Sequence, residues 1–316
     1  MTASVRCTVQ VCESVLRDGI QGWPEILSTA DKRRLVRAIV AARFTELDVT
    51  SFVPAAVVPQ FADATEVLSA VPAGARTRVL TVNMKGVARV VEAHRLVRNI
   101  DTCGIPFSAS EPHNIANLRR THAEHKVVVE QMVDALHGAG ITPLVAIATA
   151  YGCPIRGPVT AGEVLELAGW LYNRGVRRMM IGDTTGMADP AGVDNLFRTI
   201  VAQWPDVEFV AHFHDNRGCG IANTLAAISA GAQVVDACLG GLGGEPSAVD
   251  QGDVGESGNV VTEDLVAVLD RVGIDTGLDL PAVLRAGALV ESVTGRRLHS
   301  RVLRAGLIDA GQREVA

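Results

Sequence analysis

The chain has 316 residues, of which 48% are hydrophobic and 20% are charged, and its formal net charge is −6. No run of about 18 uninterrupted apolar residues occurs, so a membrane span is not expected. The acidic balance without a basic run argues against nucleic acid and anionic membranes as partners. Residues 1–13 show no charged segment before an apolar stretch, which predicts a cytoplasmic protein. The six cysteines lack Cys-x-x-Cys spacing, so we expect reduced thiols and no structural zinc site.

Short apolar segments with strand character alternate with amphipathic segments along the whole chain. The predicted strands are Val5–Glu13, Glu46–Ser51, Thr77–Asn83, Val97–Ile105, Thr142–Thr149, Arg177–Gly182, Val207–His212 and Val234–Cys238. The predicted helices are Thr29–Ala42, Val58–Ala70, Gly86–Leu96, Ile115–Gly138, Thr160–Gly175, Ala191–Gln203, Gly218–Ala230 and Thr262–Val272. Eight alternations favour an α/β fold of the (β/α)8 TIM-barrel type, although periodicity alone is also compatible with an open sheet.

A further amphipathic segment, Leu280–Thr294, follows the eighth predicted strand–helix unit. We therefore expect residues 1–277 to form the barrel and residues 278–316 to form a C-terminal helical extension. Such an extension packs either on the barrel or against a second subunit, and the second arrangement predicts a homodimer.

Polar residues gather where the predicted strands end. In a barrel, these carboxyl ends lie on one face, and that face carries the active site. The candidates are Asp18 and Gln21, Asp48, Ser110, Thr149 and Tyr151, Asp183 and Thr184, His212 and His214, and Glu245 with Asn259. Their common position predicts a catalytic site at this end of the barrel.

Two histidines on the seventh strand are candidate metal ligands. His212 and His214 are two residues apart, so both side chains point to the same face of an extended strand. An HxH pair alone is as often structural as functional. Asp18 and Asn259 change that balance, because closure of the barrel brings strands one, seven and eight together. A nitrogen and oxygen ligand set without thiolate favours octahedral Mg²⁺, Mn²⁺ or Co²⁺ over tetrahedral Zn²⁺, and of these we expect Mg²⁺ or Mn²⁺.

Arg17, next to Asp18, is a candidate for stabilising a developing negative charge. An arginine at the end of an interior strand is costly to bury without a partner or an anionic ligand. A surface salt bridge is the alternative role. Asp48 and Asp183 are further carboxylates at strand ends, which either orient Arg17, act as general base, or cap the next helix.

Several motifs resemble the 3-hydroxy-3-methylglutaryl-CoA (HMG-CoA) lyases and, more broadly, the DRE-TIM metallolyases. They include Arg17-Asp18-Gly19-Ile20-Gln21, Thr50-Ser51-Phe52-Val53, Gly152-Cys153-Pro154, Gly182-Asp183-Thr184, His212-Phe213-His214-Asp215, Gly241-Leu242-Gly243-Gly244 and Ser257-Gly258-Asn259. The resemblance implies a metal-dependent lyase in which Asp18, His212, His214 and Asn259 hold the metal. It also implies that Arg17 stabilises an enolate, with Asp183 and Gln21 beside the reacting atoms.

The chain departs from the lyase pattern at the residues that move protons. The lyases carry a cysteine after Gly-Leu-Gly-Gly, where this chain has Glu245, and a glutamate where it has Asp48. The loop 246–256 is longer, and Leu16 is closer to the Claisen-condensing branch of the superfamily. We therefore expect weak or absent cleavage of HMG-CoA itself.

The resemblance favours cleavage of a 3-hydroxyacyl thioester through an enolate, with Asp183 as base and Glu245 as acid. Ser110, Thr184 and Asn117 are candidate substrate-binding residues. One alternative is a Claisen-type enzyme that joins an acyl thioester to an oxo acid. The other is a metal-binding barrel without catalytic activity.

Overall fold

Eight parallel strands form a closed barrel in the computed structural model, which describes residues 8–244 and 258–308. The barrel strands are β1 (Gln10–Glu13), β2 (Glu46–Ser51), β3 (Arg76–Leu80), β4 (Thr102–Ser108), β5 (Thr142–Ala148), β6 (Arg178–Asp183), β7 (Glu208–Phe213) and β8 (Val234–Ala237). Each strand pairs with its neighbour in the chain, and β1 pairs with β8 from Gln10 opposite Val234 to Glu13 opposite Ala237. The predicted (β/α)8 TIM barrel is confirmed.

Helices follow the strands and cover the outside of the barrel. They are α1 (Thr29–Ala41), α2 (Ala64–Leu68), α3 (Met84–Leu96), α4 (Glu111–Leu118), α5 (His122–Gly138), α6 (Ala161–Asn173), α7 (Pro190–Gln203), α8 (Gly220–Ser229), α9 (Thr262–Val272), α10 (Leu280–Thr294) and α11 (Val302–Ala305). The large apolar core lies between these helices and the strands, as strands covered on their outer face require. Inside the barrel a small cluster is formed by Cys12, Leu144, Met180, Val210 and Val234. Charged side chains occupy much of the remaining interior.

The predicted helix Ile115–Gly138 was wrong, because the structure divides it into α4 and α5. Arg119 adopts a left-handed conformation with φ of 55° and ends α4. Thr121 then begins α5 with a capping box, in which Thr121 and Glu124 satisfy each other's backbone N–H groups. Residues 119–126 contain a single apolar residue, Ala123, and Thr121 with Glu124 matches a capping box, so the sequence held a signal for this break that the prediction missed.

Other boundaries also differ from the predicted ones. The predicted helix Val58–Ala70 is a 3-10 turn at Pro59–Phe61 followed by the short α2. Strand β4 begins at Thr102 rather than Val97, because residues before it belong to the turn after α3. The β5–α6 loop contains a small antiparallel hairpin that was not predicted, in which the two-residue strands Gly152–Cys153 and Gly157–Pro158 pair.

The segment after the barrel packs on the barrel itself. Helix α10 buries Val283 and Val290 beside α1 and α9, and the Asp279 N–H donates to the Ala42 carbonyl at 3.1 Å. The division at residue 277 and the homodimer remain predictions. Within the described ranges, no helix is long and apolar enough to cross a membrane.

Candidate active site

The loop after β1 positions Arg17 and Asp18 at the mouth of the barrel. Residues Val15–Gly19 form one turn of π-helix, closed by the Gly19 N–H donating to the Ser14 carbonyl at 3.1 Å. Such turns are rare and occur often at functional sites. The turn leaves Arg17 buried and Asp18 partly exposed, next to the ends of β2 and β7.

Three potential metal ligands converge at this point. The Nε2 atoms of His212 and His214 lie 3.1 Å apart, and Asp18 Oδ2 lies 4.0 and 3.8 Å from them. One ligand atom from each of the three residues lies within 4.8 Å of the other two. Two imidazole nitrogens that face each other beside a carboxylate fit a shared divalent cation better than a direct hydrogen bond. The donor chemistry therefore fits the predicted divalent metal.

Asn259 borders the same point. It forms a bridge with the backbone of His214, and its Nδ2 donates to Asp18 Oδ2 at 2.7 Å and to the Leu242 carbonyl at 2.9 Å. Gly243, with φ of 104°, allows this approach, because a Cβ there would collide with the Asn259 amide. The structure thus brings all four predicted ligands together, while metal binding through the Asn259 oxygen stays a prediction.

Arg17 links the metal side of the site to Asp48. Its Nε donates to Asp48 Oδ2 at 2.7 Å, and its Nη1 donates to Asp18. A register irregularity between Asp48 and Thr50 in β2 lies beside this contact, and such bulges re-aim side chains near active sites. Burial raises the pKa of Asp18, but Arg17 with the two histidines outweighs it and holds that pKa well below its usual range.

Asp48 is fully enclosed, and its pKa is raised by burial despite Arg17 and a second guanidinium, Arg78, nearby. Three roles were predicted for Asp48, and its contact with the Arg17 Nε fits the one in which Asp48 orients Arg17.

Asp236 and Arg78 belong to the site and were missed by the sequence analysis. Asp236 Oδ2 lies 3.1 Å from His212 Nδ1, on the side of the ring opposite the Nε2 that faces Asp18 and His214, and carboxylates in this position commonly orient metal-binding histidines. Arg78 Nη2 donates to the same Asp236 oxygen at 2.7 Å. Burial opposes ionisation of Asp236, but Arg78 and His212 lower its pKa to about 2. The sequence signal that could have identified them is a charged residue inside an otherwise apolar strand, Arg78 in β3 and Asp236 in β8.

Asp183 faces its own loop rather than Arg17. Its two carboxylate oxygens accept the N–H groups of Met187 and Ala188 at 2.8 and 3.0 Å, just before α7. Asp189 rather than Asp183 caps α7, so the helix-capping role expected as the alternative does not hold for Asp183. Burial raises the pKa of Asp183 above its ordinary value, which makes its carboxylate a stronger proton acceptor. Its role as base remains a prediction.

The remaining predicted site residues have varied surroundings. Ser110 is buried at the start of α4 and its hydroxyl contacts Cys153 Sγ at 3.0 Å, whereas Thr184 Oγ1 accepts the Thr149 N–H at 3.0 Å. Asn117 is exposed on α4, and Gln21 is half-buried after the π-helical turn. Glu245 lies outside the described residues. The roles of these side chains stay predictions.

The fold and the site define a (β/α)8 barrel with a cluster of two histidines and a carboxylate that could hold a metal ion, at the carboxyl ends of its strands. Residues 8–290 match the HMGL-like family model. The chain is 32% identical over 289 residues to the hydroxymethylglutaryl-CoA lyase YngG of Bacillus subtilis, covering 91% of this chain and 93% of the relative. It is 33% identical over 299 residues to the human mitochondrial hydroxymethylglutaryl-CoA lyase, covering 94% and 89%.

A solved structure of an HMG-CoA lyase from Acinetobacter baumannii, in complex with coenzyme A and 3-methylmalate, superposes with a TM-score of 0.88. That protein is 33% identical, and the match covers 98% of each chain. This chain belongs to the HMGL-like family. The predicted relationship to HMG-CoA lyases, and with it the class of carbon–carbon lyase, is confirmed.

Proposed function

We propose that the chain is a carbon–carbon lyase that cleaves a 3-hydroxyacyl thioester through an enolate and uses Mg²⁺ or Mn²⁺. The observation that carries this proposal is the convergence of Asp18, His212 and His214 next to the Arg17 guanidinium. The intact ligand group and its charged neighbour argue against a silent barrel. A divalent ion bound there supplies a Lewis acid to substrate oxygens.

The protein residues divide the remaining work. Asp183, with its raised pKa, accepts the proton of the 3-hydroxyl group. Arg17, held by Asp48, faces the enolate oxygen and stabilises its charge after the carbon–carbon bond breaks. Glu245 supplies the proton that completes the thioester product. Ser110, Thr184, Asn117 and Gln21 contact the substrate.

The substrate we propose is an acyl thioester that carries a tertiary 3-hydroxyl group but is not HMG-CoA, because Glu245 replaces the lyase cysteine. A glutamate has a reference pKa near 4.3, against about 8.5 for cysteine, so the two do not donate a proton over the same pH range. We also propose a cytoplasmic location and a homodimer, in which the extension contributes to the interface.

The test is an assay of the purified protein with Mn²⁺ or Mg²⁺ against tertiary 3-hydroxyacyl-CoA esters, HMG-CoA, and pairs of acyl-CoA and oxo acid. Mass spectrometry of both products distinguishes cleavage from condensation. We expect metal-dependent cleavage that a chelator abolishes, with HMG-CoA as a poor substrate improved by Glu245→Cys. Condensation without cleavage would assign the Claisen reaction. If no substrate is turned over, the alternative of a metal-binding barrel without catalytic activity is supported. Rapid cleavage of HMG-CoA would show that the protein is an ordinary HMG-CoA lyase.

A further inference from the structure

Two buried arginines inside the barrel differ in how fully their nitrogens are bonded. Arg178 on β6 donates to both oxygens of Glu46, at 2.6 and 2.7 Å, and to Thr102 Oγ1 at 2.8 Å. Its Nε donates to Glu208. All three guanidinium nitrogens of Arg178 therefore have acceptors, and the ion pair is closed.

Arg78 on β3 is equally buried, with 1% of its surface exposed, but it is bonded only in part. Its Nη2 donates to Asp236 Oδ2 at 2.7 Å, and its Nε lies 3.5 Å from Asp48 Oδ2. Neither Nε nor Nη1 of Arg78 has a hydrogen-bond acceptor among the described residues. A structural ion pair with so few bonds returns little for the desolvation of a guanidinium.

The two carboxylates beside Arg78 each orient a residue of the site. Asp236 contacts His212 Nδ1 at 3.1 Å, on the side opposite the nitrogen that faces Asp18 and His214. Asp48 accepts the Arg17 Nε at 2.7 Å. Arg78 therefore stands between one carboxylate that holds a metal-binding imidazole and another that holds the cation facing the enolate.

We propose that Arg78 is a positioning residue. It fixes Asp236 and Asp48 relative to each other, and thereby holds the side chains of His212 and Arg17 in their relative positions across the barrel. This inference rests on the proposed function, since it concerns the same metal site. The planar guanidinium matters, because it spans two carboxylates in a fixed geometry, whereas a lysine ammonium is a point charge on a flexible stem.

The role predicts an effect on metal affinity as well as on turnover. Loss of a residue that orients a metal ligand from behind typically weakens metal binding about 10- to 100-fold. An arginine that only balances charge in the core would leave Mn²⁺ affinity unchanged. Arg178 provides the matched control, because it is as buried and has two acidic partners but contacts none of the proposed ligands.

The experiment compares Arg78→Met, Arg78→Lys and Arg178→Met with the wild type. Calorimetric titration of the metal-free proteins with Mn²⁺ gives the affinity, and steady-state kinetics with the best substrate give kcat and KM. We expect Arg78→Met to bind Mn²⁺ about 10- to 100-fold more weakly, with a similar fall in kcat. Arg178→Met should keep both within about twofold. Arg78→Lys keeps the charge and the fold, yet should still lose about 10-fold in Mn²⁺ affinity.

Circular dichroism first shows which variants are folded, and Arg78→Lys decides the matter if Arg78→Met does not fold. Wild-type Mn²⁺ affinity in the folded Arg78 variants would overturn the inference, as would an equal loss in Arg178→Met. A wild-type protein that binds Mn²⁺ but cleaves no thioester would overturn the proposed function instead, and the affinities would still test Arg78. If the wild type binds no Mn²⁺, the proposed function and the inference both fail.

Discussion

Two charged networks lie at different heights inside the same barrel, and they are built differently. The network at the amino-terminal ends of the strands joins Arg178 to Glu46 and Glu208, and Gln10 Nε2 donates to Glu46 Oε2 at 2.8 Å. The network toward the carboxyl ends joins Arg78 and Arg17 to carboxylates that also contact His212 or lie beside it. Glu46 and Asp48 are separated on β2 by Leu47 alone and point to the same face, so both networks include residues of one strand.

The contrast shows how burial of charge can serve either closure or chemistry. Among the described residues, all three guanidinium nitrogens of Arg178 and both carboxylate oxygens of Glu46 have hydrogen-bond partners, which leaves these groups no position for a ligand. In the Arg78 network, Asp48 Oδ1, Asp236 Oδ1 and two Arg78 nitrogens have no hydrogen-bond partner among the described residues. A half-satisfied network is expensive as a structural device, and its cost is understandable where the groups orient a reactive site.

Removing a proposed metal ligand is the strongest way to test the upper network. His212→Ala should abolish stoichiometric Mn²⁺ binding and reduce kcat/KM to background, because the ion loses one of its two imidazole ligands. The fold should survive, since the side chain lies at the mouth of the barrel. Elemental analysis and circular dichroism measure the two properties. His137→Ala, on the exposed face of α5, is the control. Full metal occupancy in His212→Ala would contradict the assignment of the site.

Arg17 tests the catalytic arm of the same network without removing a metal ligand. Arg17→Gln should lower kcat by roughly 10²–10³, the range seen when one oxyanion donor is lost. Metal content should stay at one equivalent. Steady-state kinetics and elemental analysis measure these quantities. A kcat near that of the wild type would show that Arg17 only pairs with Asp18 and Asp48 and does not stabilise an enolate.

The lower network should respond in stability rather than in activity. Arg178→Met leaves Glu46 buried without its cation, and breaking such a pair costs about 3–5 kcal/mol of unfolding free energy. Urea unfolding measures the loss, and kcat below the transition should stay within about twofold of the wild type. The comparison between the two networks would fail if kcat fell while the unfolding free energy did not change.

A buried carboxyl group outside both networks, that of Glu263, should make the stability of the protein depend on pH. Both Glu263 oxygens lie within hydrogen-bond distance of the Gly240 N–H, at 3.2 and 3.0 Å, and burial raises the pKa of Glu263 to about 8. Because the folded state then binds a proton that the unfolded state releases above its ordinary pKa of 4.5, rising pH lowers stability between about pH 4.5 and 8.

Glu263→Gln should flatten this decline by at most about 1.4 kcal/mol per pH unit. Unfolding free energies at several pH values from 5 to 8 measure it. Glu13, whose pKa burial raises to about 7, should retain its own smaller contribution in the variant. Parallel curves for the two proteins would show that Glu263 does not titrate in this range.

The sequence alone predicted the barrel and named four candidate metal ligands. Eight strand–helix alternations limit the chain to a few topologies, and a strand period of two places His212 and His214 on one face. Once the barrel closes, β1, β7 and β8 must be neighbours, so Asp18 and Asn259 come near that pair. Periodicity alone also allowed an open sheet, and the polar residues at the strand ends together with the resemblance to the metallolyases favoured the closed barrel.

Only the tertiary structure decided which inward side chains meet across the barrel. Arg78 and Asp236 are 158 residues apart, and their contact depends on the stagger of the strands, which no local pattern encodes. The break at Arg119 is different, because the capping-box pattern of Thr121 and Glu124 marks it in the sequence, and only the left-handed conformation of Arg119 came from the structure. Local spacing fixes the direction of each side chain, whereas its partner is set by the summed geometry of all eight strands.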